Sequence, residues 1–436
     1  MKTKNKILIL TVVFSLICTA LAGCAAKTGL ESNSTADSSV TQAAAGEADE
    51  KNAVKITLGG TSAEISGSGA VNENGNIIIT KGGTYSLSGE FTGGGIIVNA
   101  DNENVTLILS GANITSQDSS AINIVKANSV TLAVKDGTEN TLSDASEYSF
   151  DNDYSDEAQE EPNACVFSKS DLTITGSGKL TVNGNYKNGI KSKDMLTVKN
   201  ANITINCENN ALTGNDGVNV SESTLVITAK GDGIHSNSNV EINSGTLTIK
   251  SDDDAIHADN SVTINGGTID ADAHEGIEGT LITINDGSIT INAGDDGINA
   301  AQKVDGVTPA VEINGGEITI TMGAGDTDAI DSNGNIIING GKISITGQSG
   351  FDYEGKAELN GGEVYVNGEK VTELTNQFGG SMPGAGGKPW GGFGGQNGGG
   401  FGEIPRDENG NFKRGGERGE MPQDSSTPVT AEESQM

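Results

Sequence analysis

The chain has 436 residues, with 26 Lys and Arg against 59 Asp and Glu and a formal net charge of −33. That balance excludes nucleic acid as a natural partner and points toward cations or basic surfaces.

Lys2, Lys4 and Lys6 precede an apolar run from Ile7 that ends in Leu21-Ala22-Gly23-Cys24. A basic start, a short apolar stretch and small residues before a cysteine predict a bacterial lipoprotein signal over residues 1–23, with Cys24 lipidated. The expected product is exported and held on the membrane by lipid, facing away from the cytoplasm. Residues 24–52 are rich in Ser, Ala, Thr and Glu without periodicity and read as a flexible tether.

A repetitive region follows over residues 53–370. Gly95-Ile96 and Ala121-Ile122 mark its early, less regular units. An acidic insertion over 144–161 contains Tyr148, Phe150, Asp151, Asp153, Tyr154, Asp156 and Glu157, and long loops of this kind are either functional or disordered.

Beyond it the units become regular. A short acidic or histidine-bearing cluster followed by Gly or Ala and then Ile recurs as Gly231-Asp232-Gly233-Ile234-His235, Asp253-Asp254-Ala255-Ile256-His257, His274-Glu275-Gly276-Ile277-Glu278 and Asp295-Asp296-Gly297-Ile298-Asn299. The small residues are 22, 21 and 21 residues apart. Asp328-Ala329-Ile330-Asp331 comes 32 residues later, because Gln302 to Pro309 reads as a loop inserted into one unit.

Between clusters lie two alternating runs per unit, such as Val240-x-Ile242 and Leu247-x-Ile249, separated by Asn-Gly turns such as Asn265-Gly266-Gly267 and Asn314-Gly315-Gly316. Period-two alternation of β-branched residues predicts strands with one buried face, and the Asn-Gly sites are corners. Three short strands per unit of about 21–22 residues predict an all-β, right-handed parallel β-helix, in which each coil buries its apolar face by stacking on the next.

Stacking converts period into geometry, since equivalent residues on adjacent coils lie roughly 4.8 Å apart. Asp232, Asp254, Glu275, Asp296 and Asp328 are therefore expected to form a column of carboxylates, with Asp253, Asp295 and Asp326 beside it and Glu278 and Asp331 just beyond the Ile. At that spacing each neighbouring pair repels by roughly 3 kcal/mol at an effective dielectric near 20. The alternatives are a solvated acidic edge or a hard divalent cation, and the repetition of paired acids favours calcium. His235 and His257 sit at equivalent offsets and should stack, as a plain imidazole ladder or, alternatively, as part of a transition-metal site.

Cys165 and Cys207 remain once the signal and anchor are set aside. Cys165 is assigned to the column of Ile190, Leu212, Ile234 and Ile256, and Cys207 to an inward position. Both are expected as buried free thiols. Residues 371–436 begin a tail that is Gly-rich over Gly379 to Gly402, with Trp390, Phe393 and Phe401, and reads as disordered.

The segments Glu161-Pro162-Asn163-Ala164-Cys165-Val166-Phe167 and Gly184-Asn185-Tyr186-Lys187-Asn188-Gly189-Ile190-Lys191-Ser192-Lys193, with the Asp-Gly-Ile and Ile-Asn-Gly-Gly units, resemble a family of bacterial carbohydrate-binding β-helices. Its members look like pectate lyases but bind cellulose or acidic sugars and hold calcium. The resemblance spans roughly Val54 to Gly368. It implies calcium-assisted binding of a polysaccharide, polygalacturonate or cellulose, and places metal on positions such as Asp232, Asp254 and Asp296.

An acidic protein needs a bridging metal to hold an acidic glycan. Aromatics make up 4% of the chain, too few for a broad ring platform, which favours uronates over cellulose. Tyr186, Lys187, Lys191 and Lys193 are the candidate carbohydrate-binding residues, with Tyr353 and Tyr365 as further aromatic candidates. The runner-up is a calcium-dependent polysaccharide lyase, in which a basic side chain removes the proton beside a uronate carboxyl. Arg406, Arg414 and Arg418 all lie in the tail, so the base would be one of these lysines. A third reading is a surface protein that calcium merely stiffens.

Overall fold

The computed structural model describes residues 50–324 and 327–376. The signal, Cys24, nearly all of the tether, Asp326 and the Gly-rich tail from residue 377 lie outside the described residues.

The fold follows from the alternation. Ile234, Ile256, Ile277, Ile298 and Ile330 occupy one line of register, each paired with its equivalent on the next coil. Val240, Val262, Ile282, Val311 and Ile336 form a second line. Leu247, Ile269, Ile289, Ile318 and Ile343 form a third. All are buried. Three lines of branched aliphatics thus meet along one axis, and each buried side chain contributes roughly 1.5–3 kcal/mol relative to exposure. The result is an all-β parallel β-helix of about 13 turns. Among the described residues helix is confined to Glu50 and a 3-10 turn at Glu157–Gln159, and no helix is long and apolar enough to cross a membrane.

One coil shows the plan. Ile234–Ser236, Asn239–Ile242 and Gly245–Ser251 are its three strands, each paired in parallel with the coils before and after. The corners are tied by side chains. Asn265, Asn285, Asn314, Asn339 and Asn360 each donate Nδ2–H to the Oδ1 of the preceding asparagine, starting from Asn243, at 2.8–3.0 Å. Antiparallel partners stand at the two ends: Ala70–Glu73 with Asn76–Ile79, and Glu363–Val366 with Glu369–Val371. Such end pieces occupy strand edges that would otherwise template aggregation.

The small residue before each Ile has a steric cause. A Cβ at Gly276 would lie 2.2 Å from the Gly297 carbonyl oxygen and 2.5 Å from Cγ2 of Ile291, and one at Gly233 would lie 2.5 Å from Cγ2 of Ile249. Cys165 belongs to this column and not to the Ile column: Ala164 pairs with Asn188 and Val166 with Ile190, which sets Cys165 opposite Gly189. The sequence assignment was one residue out because the 144–161 insertion interrupts the count. Both thiols are free and buried as expected, and burial pushes the Cys207 thiol up to about 12.

Replacing Gly276 by Ala is expected to lower the urea midpoint of unfolding and to cost about 1–3 kcal/mol, because backbone rather than a flexible side chain blocks the new methyl. A midpoint equal to that of the natural chain would show that the coils slide apart freely.

Candidate functional site

The acidic turns do stack into one column, and the column has a hydrogen-bond logic that begins two coils earlier, with asparagine. Asn188 Oδ1 accepts from the Asn210 N–H at 3.3 Å, and Asn210 Oδ1 from the Asp232 N–H at 3.0 Å. Asp232 Oδ1 then accepts from the Asp254 N–H at 3.2 Å, and Asp296 Oδ1 from the Asp328 N–H at 3.1 Å. Asp254 pairs in register with Glu275, and Asp328 with Ser349, whose hydroxyl donates to Asp328 Oδ1. One oxygen at these steps therefore caps a backbone N–H of the next coil, leaving the other for chemistry.

A second column stands just past the Ile. Lys191, Thr213, His235, His257, Glu278, Asn299, Asp331 and Asp352 follow one another in register. Flanking inward residues such as Ile234 and Ser236 force these side chains outward, so two columns face the same edge. The expected imidazole stack is present, with the His235 and His257 rings 4.9 Å apart and 9° from parallel.

The middle of this edge neutralises itself. Asp232 Oδ2 lies 2.6 Å from His235 Nδ1. His257 Nδ1 lies 2.7 Å from both Asp254 Oδ2 and Glu278 Oε2, and Glu278 Oε1 lies 2.7 Å from Lys303 Nζ. Burial disfavours the charged imidazole of His257, but its bonds to Asp254 and Glu278 prevail and hold its pKa at about 10. For Glu278 burial is likewise outweighed, by His257 and Lys303, and the carboxyl stays well below the usual range. Glu278, expected as a metal ligand, is thus held by a histidine and by a lysine from the inserted loop.

Toward the downstream end, no histidine or lysine pairs with Asp296 or Asp331 among the described residues. Burial, then Asp296, Asp352 and Asp328, push the Asp331 carboxyl up to about 7. Asp296 rises to about 6 through burial and through Asp295, Asp328 and Asp352, against the N–H bond it accepts. Glu275 reaches about 7, chiefly by burial, although Asn299 donates to it at 3.0 Å. Two oxygens here, Asn299 Oδ1 and Thr327 Oγ1, are buried without a hydrogen-bond partner. His274, Glu275 and Asp295 converge within 4.8 Å, as do Asp232, Asp253 and Asp254, although Asp253 and His274 themselves are exposed.

Asp352 escaped the sequence reading, because Ser349-Gly350-Phe351-Asp352 repeats the small-Ile-acid pattern with Phe for Ile and Ser for Asp. Asn188 and Asn210 escaped it because only acids were counted. Asp296, Asp328, Asp331 and Asp352 offer only oxygen donors, the type that suits a hard cation such as calcium, while His274 beside Glu275 and Asp295 adds a nitrogen.

The lysine group lies upstream, against the insertion, which is folded over the coils. Lys187 Nζ meets Glu160 Oε2 at 2.5 Å, and Glu161 binds Lys193 at 2.5 Å and Lys169 at 3.0 Å. Tyr148 anchors the insertion: its hydroxyl donates to Asp144 Oδ2 at 2.7 Å, and its ring stacks on Tyr186 at 4.3 Å. One face of Tyr186 is therefore occupied. Tyr353 donates to the Leu374 carbonyl, and Tyr365 lies beneath Lys370.

These two columns, on one edge of a parallel β-helix, define the candidate site. A family model described as "Carbohydrate-binding domain-containing protein" matches residues 73–280 and 268–376, and the chain belongs to that family. A carbohydrate-binding domain-containing protein from Acetivibrio thermocellus is 41% identical over 128 residues, 29% of this chain and 43% of the relative, so the match spans less than half of that protein's length. Among solved structures, the polysaccharide lyase-like protein from C. thermocellum, as a gadolinium derivative, aligns at 27% identity over 73% of this chain and 95% of that one, with a TM-score of 0.35.

The raised carboxyls set a pH dependence. Native Asp296 and Asp331 retain protons up to about pH 6 and 7, whereas unfolded carboxyls release them near pH 4. The native state binds the more protons in between, so stability falls as pH rises through that window and levels off above it. His257, held protonated in the native state, acts in the same direction above about pH 6.5. In chelator, thermal unfolding is expected several degrees lower at about pH 8 than at about pH 5, with a smaller drop in Asp331→Asn. An equal drop in the variant would disconnect it from this edge.

Proposed function

We propose that this protein binds an acidic polysaccharide without cleaving it, with calcium on the downstream acidic edge bridging sugar carboxylates to the protein. Membership of a carbohydrate-binding family supports polysaccharide as the ligand class. The observation that carries the calcium reading is the crowding of Asp296, Asp328, Asp331 and Asp352 beside the orphaned oxygens of Asn299 and Thr327. Asp295 stands next to that group. Bound there, calcium would supply positive charge and open coordination positions for glycan oxygens.

Asp232, Asp253, Asp254 and Glu275 are a second acidic stretch on the same edge, partly neutralised by His235 and His257. The lipid anchor at Cys24 would hold this edge outside the cytoplasm, where extended glycans are met. Polygalacturonate fits a charge-bridging edge better than cellulose, which carries no carboxylate.

A second reading, a calcium-dependent lyase, has one specific observation in its favour. Burial, reinforced by Lys193 and Lys187, lowers the pKa of Lys191 despite the opposing influence of Glu161, and a lysine so shifted is a better proton acceptor near neutrality.

Full-length protein in detergent is expected to retain polygalacturonate much more strongly in calcium than in chelator, with no rise in ultraviolet absorbance from unsaturated product. Asp296→Asn with Asp331→Asn should weaken calcium binding about tenfold or more, since a hard cation follows ligand charge. Unchanged calcium affinity and retention in the double variant would remove the calcium reading, and calcium-dependent product would make the lyase reading the correct one.

A further inference from the structure

Lys187, Lys191 and Lys193 project from a single coil, and the 144–161 insertion answers two of them with carboxylates. Glu160 takes Lys187, while Glu161, 6% exposed, bridges Lys193 and Lys169. Lys191 has no ion-pair or hydrogen-bond partner among the described residues. On its column it is flanked by one apolar and one polar residue. On one side stands Phe167, fully buried, and on the other Thr213, 3% exposed. The Thr213 hydroxyl is buried without any hydrogen-bond partner. A buried hydroxyl left unsatisfied costs about 1–3 kcal/mol, and Lys191, one strand spacing away in register, carries the charge that would complete an anion site.

We propose that Lys191 and Thr213 form a carboxylate-binding subsite for a uronate residue, and that Glu160 and Glu161 are internal carboxylates holding the neighbouring lysines in place around it. This rests on the acidic-glycan reading given above and assigns a position within it. One carboxylate oxygen would take the Lys191 charge and the other, once local side-chain movement uncovers it, the Thr213 O–H, both charge-assisted bonds. The glycan would then leave this subsite along the coil axis. His257 lies three coils on, about 14 Å away at one strand spacing per coil, and Asp296 and Asp331 lie beyond it. The subsite takes its carboxylate directly, so it works without metal.

That difference makes the test clean. Full-length protein in detergent and chelator is titrated calorimetrically with trigalacturonate and, in parallel, with the uncharged cellotriose. The natural chain should bind trigalacturonate and not cellotriose. Lys191→Met should weaken binding about tenfold or more and Thr213→Val severalfold, as expected for bonds to a charged group. Lys191→Arg should retain most of the affinity, Glu160→Gln should tighten it by releasing Lys187, and Lys230→Met, on an exposed lysine paired with Glu208, should leave it unchanged. Melting curves establish that each variant is folded.

If Lys191→Met and Thr213→Val bind trigalacturonate as the natural chain does, or if cellotriose binds equally well, the subsite is overturned. Retention of polygalacturonate in calcium by the natural chain would then leave the broader reading standing. Conversely, loss of calcium-dependent retention with Lys191-dependent trigalacturonate binding intact would overturn the calcium bridge and keep the subsite. Absence of both would overturn both.

Discussion

The constraint on which everything else depends is the hydrogen bonding of each coil to the next. Because Ile234, Ile256, Ile277 and Ile298 must lie over one another to bury the axis, every other residue is copied into a column as well. For aliphatics this repetition is wholly favourable. For acids it places like charges one strand apart, where each contact is repulsive. The fold relieves part of that repulsion with its own backbone: the Asp254 N–H donates to Asp232, and the Asp328 N–H to Asp296. A turn amide needs an acceptor in any case, and a carboxylate one coil back satisfies it while gaining a fixed partial positive charge.

Charge along the edge then changes in three stages. Asparagines fill the column at Asn188 and Asn210, where lysines stand nearby. Histidines and Lys303 offset the acids from Asp232 to Glu278. Past Asn299 the acids crowd one another, and burial together with mutual repulsion lifts Asp296 and Asp331 toward neutrality. Crowding carboxyls in this way is costly to the fold, and perturbed carboxyls gathered in one place point to a functional site.

Periodicity made the β-helix, the stacked histidines and the acidic column legible, because each depends on residues separated by one coil. What lay outside that rule was harder to read. Cys165 was placed one position out because the insertion before it broke the count, and the register of Val166 with Ile190 corrects it. Asp352 was hidden by a Phe in the Ile position. The pairing of Lys187 with Glu160 and of Lys193 with Glu161 was not legible at all, since no period relates an insertion to the coils it folds against. Lys303 was missed for the same reason: an inserted loop delivers it to Glu278.

These loops decide how the edge differs from one end to the other. A perfect repeat would offer every coil the same ligand and could hold an extended glycan in any register, in either direction. Here the insertion fixes basic groups at one end, and the loop bearing Lys303 neutralises the middle. Toward the other end stand acids, Asp296 and Asp331, that no histidine or lysine offsets among the described residues. A polymer with carboxylates meeting this edge would find ammonium groups first and crowded carboxylates last, two environments that require different partners. Were such a polymer the ligand, few registers would satisfy both, and specificity would come from the interruptions more than from the repeat.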